Sequence, residues 1–557
     1  MRIHSSIGSS QTVLRAAALG VGIMLAGACG GHPTPPAVPA APGPSAPSGT
    51  AGALGAPPVA IAAADPWAVP SGPRDDEAVD ASAGAVDLEA WKKAKTAKGV
   101  AAPPASCAAY ASRAAASANA KETPGFAQAL GERDPGTRDA LLVALEKQNP
   151  AWSRALRAEL APIECADAIT DPFLLSYKPS ADPEAAESAR LVIGLSLAGK
   201  LSRTASAPPA MGAIRDKEKV KAFVTGPLKT WLVEQSTAIE VLSSGAAGLT
   251  GYARGVAAIE AGIAELRLVD KMRSAPVPAT WDPELKAIYE AALDEALEPR
   301  KKRGRDAALV GMSDLARAGV LRDGRLDRAR ALLSKLYGGR RLDALDGLLV
   351  PAAASPAPAG PHDLAIASAP RWLQEKTSMW PDDPRTLARG VSKSLRARFR
   401  KLADGSADEL RSPYARARFD MGRIYWRRVD FVEAAHAAKG SDKPEDRFVL
   451  ALSLALAHGP NGAADMMRAP TPGALDLRET QALDLVVAEG GPFAGMAAFD
   501  AAHLRALAPV EGAGAAVYLE DVAARFRKAE SLLTDPAQKK LAAQRAVEAE
   551  ATAGTAK

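Results

Sequence analysis

The chain has 557 residues, with 69 Lys and Arg against 64 Asp and Glu, a net charge of +5. That near balance excludes a protein that works by neutralising nucleic-acid phosphates. The length leaves room for two cores of ordinary domain size.

The chain opens with Met1 and Arg2, continues with a polar stretch to Arg15, and then runs AAALGVGIML from Ala16 to Leu25. A basic start, about ten apolar residues and a small-residue end have the three-part form of a secretory signal peptide over residues 1–28. Ten residues rise only about 15 Å as a helix, half a bilayer core, so the run is too short to span. Leu25-Ala26-Gly27-Ala28 then leads into Cys29. This stretch resembles the lipobox of bacterial lipoproteins. The resemblance implies a diacylglycerol on the Cys29 thiol, cleavage before it and acylation of the new amine. Two or three acyl chains exceed what stable membrane anchoring needs. Gly30 lacks the aspartate that retains such lipoproteins in the inner membrane, so the resemblance implies the outer membrane, facing the periplasm. Ala26-Gly27-Ala28 also fits an ordinary A-x-A cleavage site, which would release an unanchored protein.

From Gly30 to Ala64 there is no Lys, Arg, Asp or Glu, and twelve prolines fall between Pro33 and Pro73. Such a tract buries too little apolar surface to offset its ordering entropy, so residues 29–84 are expected to form a disordered, extended tether.

Beyond it the composition shifts to Ala, Leu, Arg and Glu, all good helix formers. Asp182-Pro183, Asp282-Pro283, Asp383-Pro384 and Asp535-Pro536 each pair an N-cap residue with a proline suited to the first turn. No alternating strand pattern or Asn-Gly hairpin stands out. The expected fold is all-α, a helical domain over 85–350 and a second over 364–550, divided by the Pro-rich linker 351–363.

Catalytic motifs are sparse. Gly194-Leu-Ser-Leu-Ala-Gly199-Lys200 has the spacing of a phosphate-binding loop, but Leu201 stands where Ser or Thr should hold magnesium. The stretch also continues a helical pattern rather than following a strand. Ser196 within Gly194-Leu-Ser196-Leu-Ala198 is a distant echo of a nucleophile elbow. His362, His436, His458 and His503 show no metal-ligand spacing. No cofactor and no metal are expected, and the reading is non-enzymatic. Cys107 and Cys165 either bridge in an oxidising periplasm or stay as buried thiols.

In the segment from Arg385 to Leu402, Arg385, Arg389, Lys393, Arg396 and Arg400 fall opposite an apolar stripe, without an acidic residue. Five cations on one face suit an anionic glycan, lipid headgroups or an acidic protein; a solvated outer face is the other reading.

The segment DMGRIYWRRVDFVEAA, Asp420 to Ala435, resembles the first helix and turn of a tetratricopeptide repeat. Met421-Gly422, Tyr425 and Ala434 fall at the offsets of that family's signature. ALSLALAHGPNGAADMM from Ala451 aligns with ALDLVVAEGGPFAGMAA from Ala482, 31 residues on. The resemblance implies a solenoid of helical hairpins whose surface binds peptides and proteins. The expected function is therefore a lipid-anchored periplasmic scaffold with a protein partner. The alternative is a binder of peptidoglycan or another anionic envelope polymer, with or without hydrolytic activity.

Overall fold

The computed structural model describes residues 65–70, 86–115, 125–132, 134–179, 183–205, 208–210, 217–275, 277, 281–317, 324–337, 345–351, 408–458, 478–507 and 514–555. Cys29, most of the expected tether, the linker beyond Pro351 and the basic segment with Arg385, Arg389, Lys393, Arg396 and Arg400 lie outside the described residues. What is described is all-α, with no strand.

The first part comprises α1 (Leu88–Ala94), α2 (Cys107–Ala111), α3 (Phe126–Gly131), α4 (Pro135–Leu145), α5 (Pro150–Leu160), α6 (Ala166–Ser176) and α7 (Pro183–Ser202). It continues through α8 (Lys217–Phe223), α9 (Lys229–Gly245), α10 (Gly251–Arg273), α11 (Pro283–Arg317) and α12 (Gly324–Tyr337). The second part comprises α13 (Asp408–Tyr425), α14 (Arg428–Ala438), α15 (Pro444–His458), α16 (Arg478–Glu489), α17 (Ala494–Ala506), α18 (Ala515–Leu532) and α19 (Pro536–Thr555).

Aspartate and proline start several of these helices. Helices begin at Pro183, Pro283 and Pro536. At α19 the Asp535 carboxylate accepts from the Gln538 amide at 2.9 Å. Asp134 before Pro135 does the same for Thr137 at 2.7 Å. Each satisfies an amide that the first turn leaves without a helical partner.

Helix α10 is the axis of the first part, buried on nearly every side and packed by α7, α9, α11 and α12. It approaches α11 closely because Gly262 meets it. A Cβ there would sit 2.5 Å from the Ala308 nitrogen and 2.7 Å from the Gly304 oxygen. In the second part each helix packs on the next, α13 also touches α15, and α15 touches α17. The main core takes in buried residues from Val86 to Ala501 and joins helices of both parts; Ala129, Leu130, Leu142, Leu145 and Leu156 form a separate small core. A smaller core joins α17, α18 and α19. No helix among the described residues is long and apolar enough to cross a membrane.

Candidate interaction surface

The residues of the repeat signature meet in one hairpin. Helices α13 and α14 turn back on each other through Trp426, whose φ of 53° is left-handed. Met421, Tyr425 and Ala434 are buried. Gly422 faces the ring of Phe431, where a Cβ would lie 2.5 Å from Cε1. Phe431 thus fills space inside the hairpin, 5.7 Å from the Phe419 ring.

Polar groups that apolar periodicity did not reveal lock the same hairpin. Arg418 Nη2 pairs with Asp430 Oδ1 at 2.5 Å with both side chains fully buried. Arg427 Nε stands 3.4 Å from the other Asp430 oxygen. The Tyr414 hydroxyl donates to Glu433 at 3.0 Å. Opposite charges sealed from water interact strongly, so both partners must be present together.

The hairpin carries one side of a clamp on residues 345–351. Residues 345–347 make a short helical turn and 348–351 have no regular structure. Arg423 Nε of α13 donates to the Leu345 carbonyl at 3.1 Å. The Leu349 amide donates to Asp500 Oδ1 of α17 at 2.7 Å. Arg416, about two turns back from Arg423 on α13, donates to the Pro351 carbonyl. Leu345 and Leu348 are buried in the core. Asp346 leans outward to Arg330, whose guanidinium lies 5.1 Å above the Trp426 ring. His503 of α17 stands against Gly347, 2.7 Å from where a Cβ would be. All three bonds from the helices fall on backbone atoms.

Asp500 is fully buried, and its second oxygen has no hydrogen-bond partner among the described residues. Burial drives its carboxyl well above the ordinary aspartate range; the Leu349 amide and nearby Arg423 oppose that shift. Burial likewise pulls Arg423 below the usual arginine range.

The phosphate-loop spacing is spent on packing. Gly194 and Lys200 lie within α7. A Cβ on Gly194 would meet the Ala253 carbonyl of α10 at 2.5 Å. Lys200 pairs with Asp167 at 3.0 Å and Asp171 at 2.6 Å. Arg203 joins Asp167 at 2.7 Å. Burial pushes the Asp167 carboxyl up, but the Arg203 and Lys200 bonds outweigh it and hold it below its usual value. Ser196 donates to Asp171 and accepts from the Trp91 indole. The stretch is helix rather than loop, and Ser196 is held between the Asp171 carboxylate and the Trp91 indole.

Cys107 and Cys165 form a disulfide. His503 stacks on Phe499, centroids 6.0 Å apart. No group of three or more His, Cys, Asp and Glu among the described residues is arranged to hold a metal. Within the expected tether, Asp65–Pro70 is placed. Trp67 packs on the core, with Arg447 of α15 4.2 Å from its ring centroid.

No known family, curated protein or solved structure matches the chain.

Proposed function

We propose that the protein is a non-catalytic scaffold, anchored in the envelope by lipid on Cys29, that presents a solenoid of helical hairpins to a protein partner. One observation carries the binding half of this reading. Helices α13 and α17 hold residues 345–351, a helical turn and the irregular chain after it, through bonds to the backbone from Arg423, Asp500 and Arg416. A surface that grips main chain and buries two leucines three residues apart has the chemistry of peptide recognition. The near-balanced charge fits a protein partner better than a polyanion. The signal-peptide pattern ending in Leu25-Ala26-Gly27-Ala28-Cys29 supports the anchor.

The test is photo-crosslinking in cells from Lys443 and Glu445, both exposed beside the clamp, combined with membrane fractionation of Cys29→Ala. The expected result is one stoichiometric protein adduct, and loss of membrane association in the variant. Retrieval by purified peptidoglycan with no protein adduct would overturn the scaffold. Unchanged fractionation of Cys29→Ala would overturn the anchor.

A further inference from the structure

Resting on that reading, we infer that residues 345–351 are a cis-acting strap in the partner's own site, and that an aliphatic segment of a partner protein, shaped like the strap, binds by displacing it. The strap shows what the site accepts. It offers two backbone carbonyls, at Leu345 and Pro351, to Arg423 and Arg416, and one amide, at Leu349, to Asp500. Leu345 and Leu348 supply the buried side chains. The one charged side chain, Asp346, points away to Arg330. Proline at the end of the contact needs no acceptor for an amide, and only its carbonyl is used.

Backbone recognition is what makes replacement feasible. The bonds from these three helix side chains fall on strap backbone, so another chain of similar shape satisfies them equally. Asp500 requires an amide opposite it, because an empty site would leave a fully buried carboxyl without any donor. That requirement keeps the strap seated until a competitor supplies the same group. The occupant expected in trans is therefore an uncharged, Leu- or Val-rich segment that makes one helical turn and closes on proline.

The probe is a fluorescein-labelled peptide of the chain's own residues 343–352, titrated against the full-length protein. Leu345→Ser with Leu348→Ser loosens the strap but leaves Arg416, Arg423 and Asp500 in place. That variant should bind the peptide about tenfold tighter than wild type or more, because a seated strap weakens binding by the open fraction. A peptide N-methylated at Leu349 has no donor for Asp500 and should bind about tenfold more weakly. On wild-type protein, saturating peptide should speed hydrogen exchange at the Leu349 amide and leave the α10 amides unchanged.

A folded double variant that does not bind, or equal binding by the N-methylated peptide, overturns the strap. If the double variant does not fold, the wild-type exchange experiment decides, and a Leu349 amide that exchanges at the same rate with and without peptide overturns it. A crosslinked partner from Lys443 or Glu445 together with failed peptide binding would leave the scaffold standing and remove the strap alone. Peptide binding without any crosslinked partner would do the reverse.

Discussion

Asp430→Ala tests whether the hairpin that carries the clamp is held by a buried charge pair. Arg418 and Asp430 are both wholly shielded from water, with Nη2 and Oδ1 2.5 Å apart, and Arg427 lies 3.4 Å from the second oxygen. Removing the carboxylate strands the Arg418 guanidinium in a site that water does not reach. Stranding one buried partner typically costs about 3–5 kcal/mol, a large share of a domain's total of about 5–15 kcal/mol. With a urea slope of about 2 kcal/mol per molar, the unfolding midpoint should drop by about 2 M. Far-UV circular dichroism reads that midpoint. Hydrogen exchange should place the loss in α13 and α14. Arg418→Met with Asp430→Leu removes both charges and should recover most of the deficit, since apolar replacement of a buried pair is often neutral. A midpoint shift below about 0.5 M for Asp430→Ala, at unchanged slope, would refute the reasoning.

Gly262→Ala should destabilise by about 1–3 kcal/mol, although alanine is the better helix former by about 1 kcal/mol. The new methyl meets α11 backbone at Ala308 and Gly304, and a thermal melt at or above wild type would count against it. Asp500→Asn should flatten the pH dependence of stability measured by urea unfolding. Burial raises the folded carboxyl above its unfolded value, so between those values the folded state keeps a proton the unfolded chain has lost. Wild-type stability therefore falls as pH rises through that window, by up to about 1.4 kcal/mol per pH unit. Asn lacks that proton, so its advantage should grow toward neutral pH; parallel curves for the two proteins would refute this. Reducing the Cys107–Cys165 bridge, which spans a sequence separation of 58, should cost about 4 kcal/mol on the chain-entropy account. Paired urea melts with and without reductant check it, and an unchanged midpoint would contradict it.

The helical class was legible because it depends on local chemistry. Ala, Leu, Arg and Glu dominate, and Asp-Pro pairs mark starts that recur at Pro183, Pro283 and Pro536. The close approach of α13 and α14 was legible for the same reason, as Gly422 leaves room for the Phe431 ring. The repeat register was harder to read. The 31-residue alignment matched Ala451–His458 with Ala482–Glu489, the ends of α15 and α16, which pack directly on each other. Two neighbouring helices with the same alanine-leucine face look alike in sequence whatever their place in a repeat. The buried charges escaped because apolar periodicity treats Arg418, Asp430, Glu433 and Asp500 as solvent-facing. Only their fall on otherwise apolar helix faces hinted at burial. The clamp escaped because it joins residues 345–351 to Asp500 across about 150 positions, and no local pattern encodes such a pairing.

Two stretches read as connecting chain thus have fixed places on the second set of helices. The boundary drawn at Pro351 cuts through the clamp, since the Pro351 carbonyl is still held by Arg416. The tether drawn to residue 84 contains Trp67, seated against Arg447.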